Sequence, residues 1–457
     1  MAASDISILP IATVQHDFPT VLSEIHSGAI PSESIWLSCY KHGETSVHGK
    51  IEAALDDHDR ERVAFSPSDG VELERVSDYQ YKVGCLSLGV DARETAFVVP
   101  TQTYADPIYS DFQRPHQIPT FALSRHFSTS DPPILATGHT DGAVSIYMLP
   151  STKENARQTA YASPVSHAVS PYATGKLHKS TVTALHFIPG LESAPLLASA
   201  GIDFAIHITL LPTSAHASAL SSPLRLSSST ELKGHTRAIT ALLPLTSSDP
   251  FYTPELAPTL LSASTDGTLR LWDVHVGKQT AMWGTSGWKG ANALATGANA
   301  PGGASHSLAL VYAALSTGGV EAFDVRARTS AARAEVQGST SAATAIAVQG
   351  GAMAVGSSDG VVRLWDLRAL DAPRAVWKRG GAGVSGVAFL DNNEDGEEAV
   401  VVSSEDGLPY AAAVRDREVR VRAELVFGDV EAVRCVRVEG DEVWMSGDGG
   451  VVRKYVL

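Results

Sequence analysis

Residues 261–274, LSASTDGTLRLWDV, return almost intact at 355–367 as VGSSDGVVRLWDL. Two copies of one pattern so far apart constrain the chain to a repeat architecture. A unit of this size cannot bury its own apolar face and must stack on its neighbours. In each copy an apolar strand runs into a tight Asp-Gly turn, where glycine takes a left-handed backbone at little steric cost. A second strand then runs out to a large aromatic followed by aspartate.

Weaker copies extend the series. ATGHTDGAVSIYML lies at 136–149 and ASAGIDFAIHITLL at 198–211, with Phe204 in place of the turn glycine. AALSTGGVEAFDV at 313–325 has Thr317 where the turn aspartate is expected, and VSSEDGLPYAAAV at 402–414 lacks the closing Trp. The last copy is MSGDGGVVRKYVL, and the turn markers fall at Asp141, Asp203, Asp266, Thr317, Asp359, Asp406 and Gly449. Their spacing is roughly 40 to 60 residues, against the 40–45 that a minimal propeller blade needs. Seven units close a ring, with insertions in the early blades. Short apolar runs at 182–187, 239–245, 343–348, 384–390 and 430–438 precede the hairpins and read as outer strands.

Two of these runs follow a histidine, His178 in LHKSTVTALHF and His235 in KGHTRAITALL. With His235, blade three offers Ser262 or Ser264, Asp266 and Trp272. Such a set pairs buried polar groups and ties the entry loop to the hairpin. This pattern resembles the WD-repeat family, and the set matches its structural tetrad. The expected fold is all-β, a seven-bladed WD-repeat β-propeller at 119–457 with a small N-terminal accessory domain at 1–118. Residues 451–457 leave the last blade one strand short, and an open sheet edge is avoided in native proteins. The missing strand is expected from 95–99 or 81–88. Ahead of it, Asp17 and Pro19 start a short helix through Ile25, and SIWLSCYKHGETSVHGKIEAAL reads as two short strands.

Composition narrows the function. A net charge of −15 argues against nucleic acid or an anionic membrane as partner and toward a basic protein. No apolar stretch is long enough to span a membrane, and MAASDISILP lacks a secretory pattern. Cys39, Cys85 and Cys435 form no CxxC pair and are expected to be reduced thiols in a cytoplasmic and nuclear protein. Residues 151–175 and 211–230 read as mobile loops on one face. The acidic groups Asp56, Asp57, Asp59 and Glu61, and Asp391, Glu394, Asp395, Glu397 and Glu398, read as solvated loops.

No catalytic constellation emerges. The Ser-His-Asp set of blade three has the residue types of a hydrolase triad, but no G-x-S-x-G elbow accompanies it. Gly381, Gly383 and Gly386 satisfy G-x-G-x-x-G, yet the run leads into a strand rather than a helix. The histidines, among them His186 and His207 within strands, show no metal-ligand spacing. No catalytic, cofactor or metal residue is assigned, and the expectation is not an enzyme. What remains is a binding disc. Its turn-bearing face is expected to present Arg237, Trp288, Lys289, Trp377, Glu405, Asp429 and Glu431 to a partner, Trp and Arg being the residues that most often dominate interface energy.

Beyond the repeats, SIWLSCYKHGETSVHGKI and ATVQHDFPTVLSEI resemble the opening of the proteasomal ATPase-associated factor family, which includes a fungal proteasome regulatory-particle assembly chaperone. GHTRAITALLPL with LLSASTDGTLRLWDVHVGK, GSSDGVVRLWDLRALDAP and the terminal GDGGVVRKYVL are similar to its matching segments. The resemblance implies a non-catalytic chaperone, monomeric when free. It would bind the C-terminal domain of a proteasomal AAA ATPase subunit and delay docking onto the proteolytic core. The alternatives are an adaptor in ubiquitin ligation or ribosome assembly, and a WD-repeat hydrolase of the methyl-esterase type.

Overall fold

Seven four-stranded antiparallel units follow one another from Thr120–Ser124 to Val451–Val456. The computed structural model describes residues 6–56, 59, 62–68, 70–107, 117–124, 133–149, 165–188, 196–212, 222–245, 259–296, 310–325, 329–335, 340–391, 397–428 and 431–457. Blade three shows the plan: Ile239–Leu245, Thr259–Ser264, Thr268–Asp273 and Lys278–Gly284, each paired antiparallel with the next. The middle strands of a blade are covered on both faces by the neighbouring blades, so they carry continuous apolar runs rather than alternation. Ala352–Ser357 is buried at every residue, whereas the rim strand Lys278–Gly284 is mostly exposed. The apolar clusters accordingly lie between blades, as where Trp272 and Leu260 of blade three meet Ile206 and Ile208 of blade two.

The seven hairpins turn alike. Gly142, Gly267, Gly318, Gly360, Gly407 and Gly450 each hold a positive φ, and Phe204 takes the same conformation with φ 70°. Phe204 therefore departs from the repeat in sequence but not in backbone.

The apolar runs ahead of the hairpins are not outer strands. They form the innermost strands, which pack side by side round the ring and line its channel. Polar residues punctuate them because one edge faces water. Six of the seven carry a bulge at their second residue: Thr183, Thr240, Asn292, Thr344, Ser385 and Arg434. The first five use that position to bond the next blade. Thr240 donates to Ala291 O (2.6 Å), Asn292 Nδ2 to Ala343 O (2.8 Å), and Thr344 to Val384 O (2.5 Å). Thr183 reaches Ile239 O in the same way, and Ser385 reaches Val433 O.

Gln102–Ala105 completes the last blade, antiparallel to Val451–Val456. Neither segment expected to do so occupies that place. Ala96–Val98 lies parallel on Glu418–Leu425, and Gln80–Gly84 and Glu72–Arg75 continue outward, making blade six a seven-stranded sheet. The reason is hydrophobicity. Phe97 and Val98 are fully buried between two layers, a covering that a blade rim does not provide.

A four-stranded antiparallel sheet, Ile11–Val14, Ser32–Tyr40, Val47–Leu55 and Val63–Pro67, packs over that extension. The helix Phe18–His26 buries Phe18, Val21, Leu22 and Ile25, one apolar face at helical spacing. Asp17 stands at its N-cap but its side chain makes no capping bond there. It accepts instead from Gln15 Nε2 at 3.1 Å. Phe18 meets Tyr81 edge-on at 5.1 Å, joining the helix to the blade-six extension. Cys39 and Cys85 also meet here, both buried, and burial first, then Cys85, pushes the Cys39 thiol far up.

The first described strand, Ser7–Ile8, runs parallel to Ala375–Lys378 as a fifth strand of blade five. A buried Arg379–Glu424 pair holds the following residues. Glu424 accepts from Ala12 N at 3.0 Å, and Arg379 Nε donates to Pro10 O at 3.0 Å.

Candidate functional site: the turn-bearing face of the ring

In blade three a one-way hydrogen-bond chain links the entry loop to the hairpin. Trp272 Nε1 donates to Ser262 Oγ (2.8 Å), and Ser262 bonds His235 Nε2 (2.8 Å). His235 Nδ1 then meets Asp266 Oδ2 (2.9 Å), which also accepts from Thr236 N (3.0 Å). Thr268 Oγ1 adds a bond to the other oxygen of Asp266 at 2.6 Å. Ser264, the other serine considered for this chain, bonds the Ala238 carbonyl (2.9 Å) and steadies the turn. Burial lowers the His235 pKa, outweighing Asp266. Burial pushes Asp266 up, but the bonds from Thr268, Thr236 N and His235 outweigh it and hold the carboxyl at about 2. The imidazole is therefore neutral at pH 7, and every polar atom of the chain has its partner.

That geometry bears on the hydrolase alternative. Ser262 is fully buried and its oxygen already accepts the indole N–H. A nucleophile must reach a substrate, and Ser262, although bonded to His235, is sealed from solvent with the Trp272 indole against its oxygen.

The residues read as partner-binding separate into two groups and two exceptions. Arg237 and Lys289 are exposed, and with Trp288 they flank the same Ser264–Thr268 turn of blade three. Trp288 is 65% exposed. Its φ of 54° is one that non-glycine residues rarely adopt. Thr285 holds it there: Trp288 N donates to Thr285 O (2.9 Å), and Thr285 Oγ1 donates to Lys289 O (2.6 Å). The indole lies over Gly284, where even a Cβ would press on the ring at 3.2 Å. The second group sits across the ring. Glu405 is exposed and 3.6 Å from Arg434, which Asp448 already pairs at 2.8 Å. Glu431 packs its carboxylate over Gly449 and beside the half-buried Arg453, so it serves the loop as much as the surface.

Trp377 does not belong to this face. It is fully buried in blade five, its indole donating to Tyr410 Oη at 3.0 Å. The Ser7–Ile8 strand covers the edge that would have exposed it. Asp429 lies outside the described residues, as do Asp57, Glu61, Glu394, Asp395, residues 151–164 of the first insert and 213–221 of the second. What is described of the inserts includes short strands. Val165–Ala168 runs parallel to Gln102–Ala105, and Leu224–Arg225 parallel to Ala173–Lys176. Glu397 is bonded by Arg420 (2.8 Å) and Glu398 by Arg374, so these acids are paired rather than merely solvated.

Sequence reasoning missed a cleft of about 300 Å³ beside Lys289, lined also by Ser286, Thr317, Arg333 and Glu335. The buried Glu321 stands beneath it, bonded by Ser286 and Ser330 at 2.7 Å each. A glutamate inside an otherwise apolar blade strand was the available signal.

Seven such blades, closed by an N-terminal strand, define a β-propeller of the WD-repeat type. Residues 235–444 match the family model described as nucleolar protein 10-like, N-terminal domain, itself a β-propeller. No curated protein matches the chain.

Proposed function

We propose that this protein is a non-catalytic docking platform, an assembly chaperone that holds the C-terminal domain of a proteasomal AAA ATPase subunit. It does so through the loop face of blades six and seven and keeps the client from the proteolytic core until the ring matures. The observation that carries this reading is the exposed Glu405 on that face of a chain with net charge −15. An acidic rim speeds and orients encounter with a basic domain. The N-terminal segments that resemble the proteasomal ATPase-associated factor family supply the client's identity. The locked serine of blade three supports a role without catalysis. The protein would work in cytoplasm and nucleus as a monomer, with no nucleic acid, membrane or cofactor.

A second reading, an adaptor in another complex such as a ribosome-assembly intermediate, draws on the match to a nucleolar protein model. Affinity capture of the intact protein separates the two. Enrichment of proteasomal ATPase subunits without the proteolytic core supports the chaperone; pre-ribosomal proteins in their place support the adaptor. Glu405→Lys leaves Arg434 paired with Asp448 and is expected to weaken client binding at least tenfold, by calorimetry. Unchanged affinity would move the interface off blades six and seven.

A further inference from the structure

Blade two departs from blade three at the residues that complete the hydrogen-bond chain. His178 bonds Asp203 Oδ1 through Nδ1 (2.9 Å) and Ser199 Oγ through Nε2 (2.8 Å), as His235 does in blade three. The strand register then places Thr209 where blade three has Trp272, and His207 where it has Arg270. Ala205 stands where Thr268 donates to the aspartate. Ser199 therefore has no indole N–H, and Asp203 has no threonine hydroxyl. Thr209 Oγ1 and His207 Nδ1 are buried with no hydrogen-bond partner among the described residues. The two imidazoles stand edge to face with centroids 4.7 Å apart. Ligand-capable atoms of His178, Asp203 and His207 all lie within 4.8 Å of one another.

We propose that His178, Asp203 and His207 form a binding site for a divalent transition-metal ion, Zn²⁺ being the ion this donor set fits. Two imidazole nitrogens and one carboxylate oxygen are donors that Zn²⁺ takes at about 2.0–2.2 Å, with a fourth position left open. Asp203 and His207 are partly exposed, which gives that position and the ion's entry path to solvent. Rotation of the His207 ring brings the third donor onto the ion. The ion takes the place of the Nδ1 proton that His178 now shares with Asp203, and the neutral ring carries its one proton on Nε2 instead, donated to Ser199 Oγ. The protonation states suit ligation, which requires neutral imidazole and ionised carboxyl. Burial lowers the His207 pKa, and the proximity of His178 lowers it further. Burial raises Asp203, but its bonds to His178 and Lys179 N outweigh this and hold it below the usual carboxylate range. In blade three the same position carries Arg270, a cation bonded to Gln279 that cannot ligate a metal.

The test is a metal titration of the full chain after chelator stripping. Co²⁺ reports on coordination through its visible ligand-field band, and Zn²⁺ displaces it. The expected result is one equivalent of Co²⁺ bound with a tetrahedral-type band, lost on adding Zn²⁺ and weakened as pH falls below 6.5. Zn²⁺ should also raise the melting temperature. His207→Ala should abolish the band and the thermal shift while keeping the far-UV circular dichroism, because His207 lies outside the His178–Ser199 chain. If that variant fails to fold, His207→Arg, which installs the residue blade three uses, takes its place. A wild-type chain that binds no Co²⁺ with such a band overturns the site, and so does a folded His207 variant that keeps it.

Discussion

Ser262 shows how much can hang on one hydroxyl. It stands between an indole donor and an imidazole acceptor, both buried, so its removal strands two polar groups at once. Each buried group left unpaired costs about 1–3 kcal/mol. Ser262→Ala is therefore expected to lower unfolding stability by roughly 2–4 kcal/mol in a urea titration, while the neighbouring Ser264 bonds on unaffected. His235 of this network and His207 of blade two set a pH response. Burial depresses His235 and His207 below the ordinary 6.5, so the unfolded chain binds protons there that the folded chain refuses. Stability should be full above pH 6.5 and decline as the pH drops below it. A second decline belongs to Asp266, from its ordinary 3.8 down to about 2. Urea midpoints at pH 7.5, 6 and 5 check the first step, and His235→Asn should flatten part of it.

At the scale of the element, the inner strands add hydrogen bonds from blade to blade to the apolar packing between them. Thr240→Val removes a hydroxyl that reaches Ala291 O and keeps the methyl packing. It should cost about 1 kcal/mol. Thr344→Val should cost as much, and the two should add because they share no partner; denaturant unfolding of the single and double variants measures this. The hairpins were legible in the sequence because an Asp-Gly turn is a local signal, written within a few residues. Phe204 and Thr317 obscured the letters, yet the backbone at both turns follows the repeat. The bulge positions were hidden. A threonine at the second place of an apolar run reads as ordinary alternation until the next blade's carbonyl is alongside. Trp377 was misjudged for a related reason. Its burial depends on Ser7–Ile8, a strand hundreds of residues away that no local pattern announces. The pairing of His207 with His178 and Asp203 was equally invisible, since no metal-motif spacing links a loop histidine to a strand histidine.

For the whole molecule, ring closure is the feature on which the rest depends. The closing strand is short, Gln102–Ala105, and its four residues pair with Val451–Val456 on one side and Val165–Ala168 on the other. Thr103→Pro removes an N–H from the middle of that strand and places a ring where a sheet interior tolerates none. The variant is expected to open the last blade, cost about 3 kcal/mol or more, and expose an edge that self-associates. Size-exclusion chromatography and limited proteolysis would report it; a monomeric variant with wild-type melting would show that closure contributes little. The closure also imposes a timetable on synthesis. Thr101 bonds Lys454 across 353 residues of chain. At about 5–20 residues per second the early strand waits roughly 20–70 s for its partner to leave the ribosome. Through that interval its unpaired edge is open to any strand nearby, the hazard that an open sheet edge carries until it is paired.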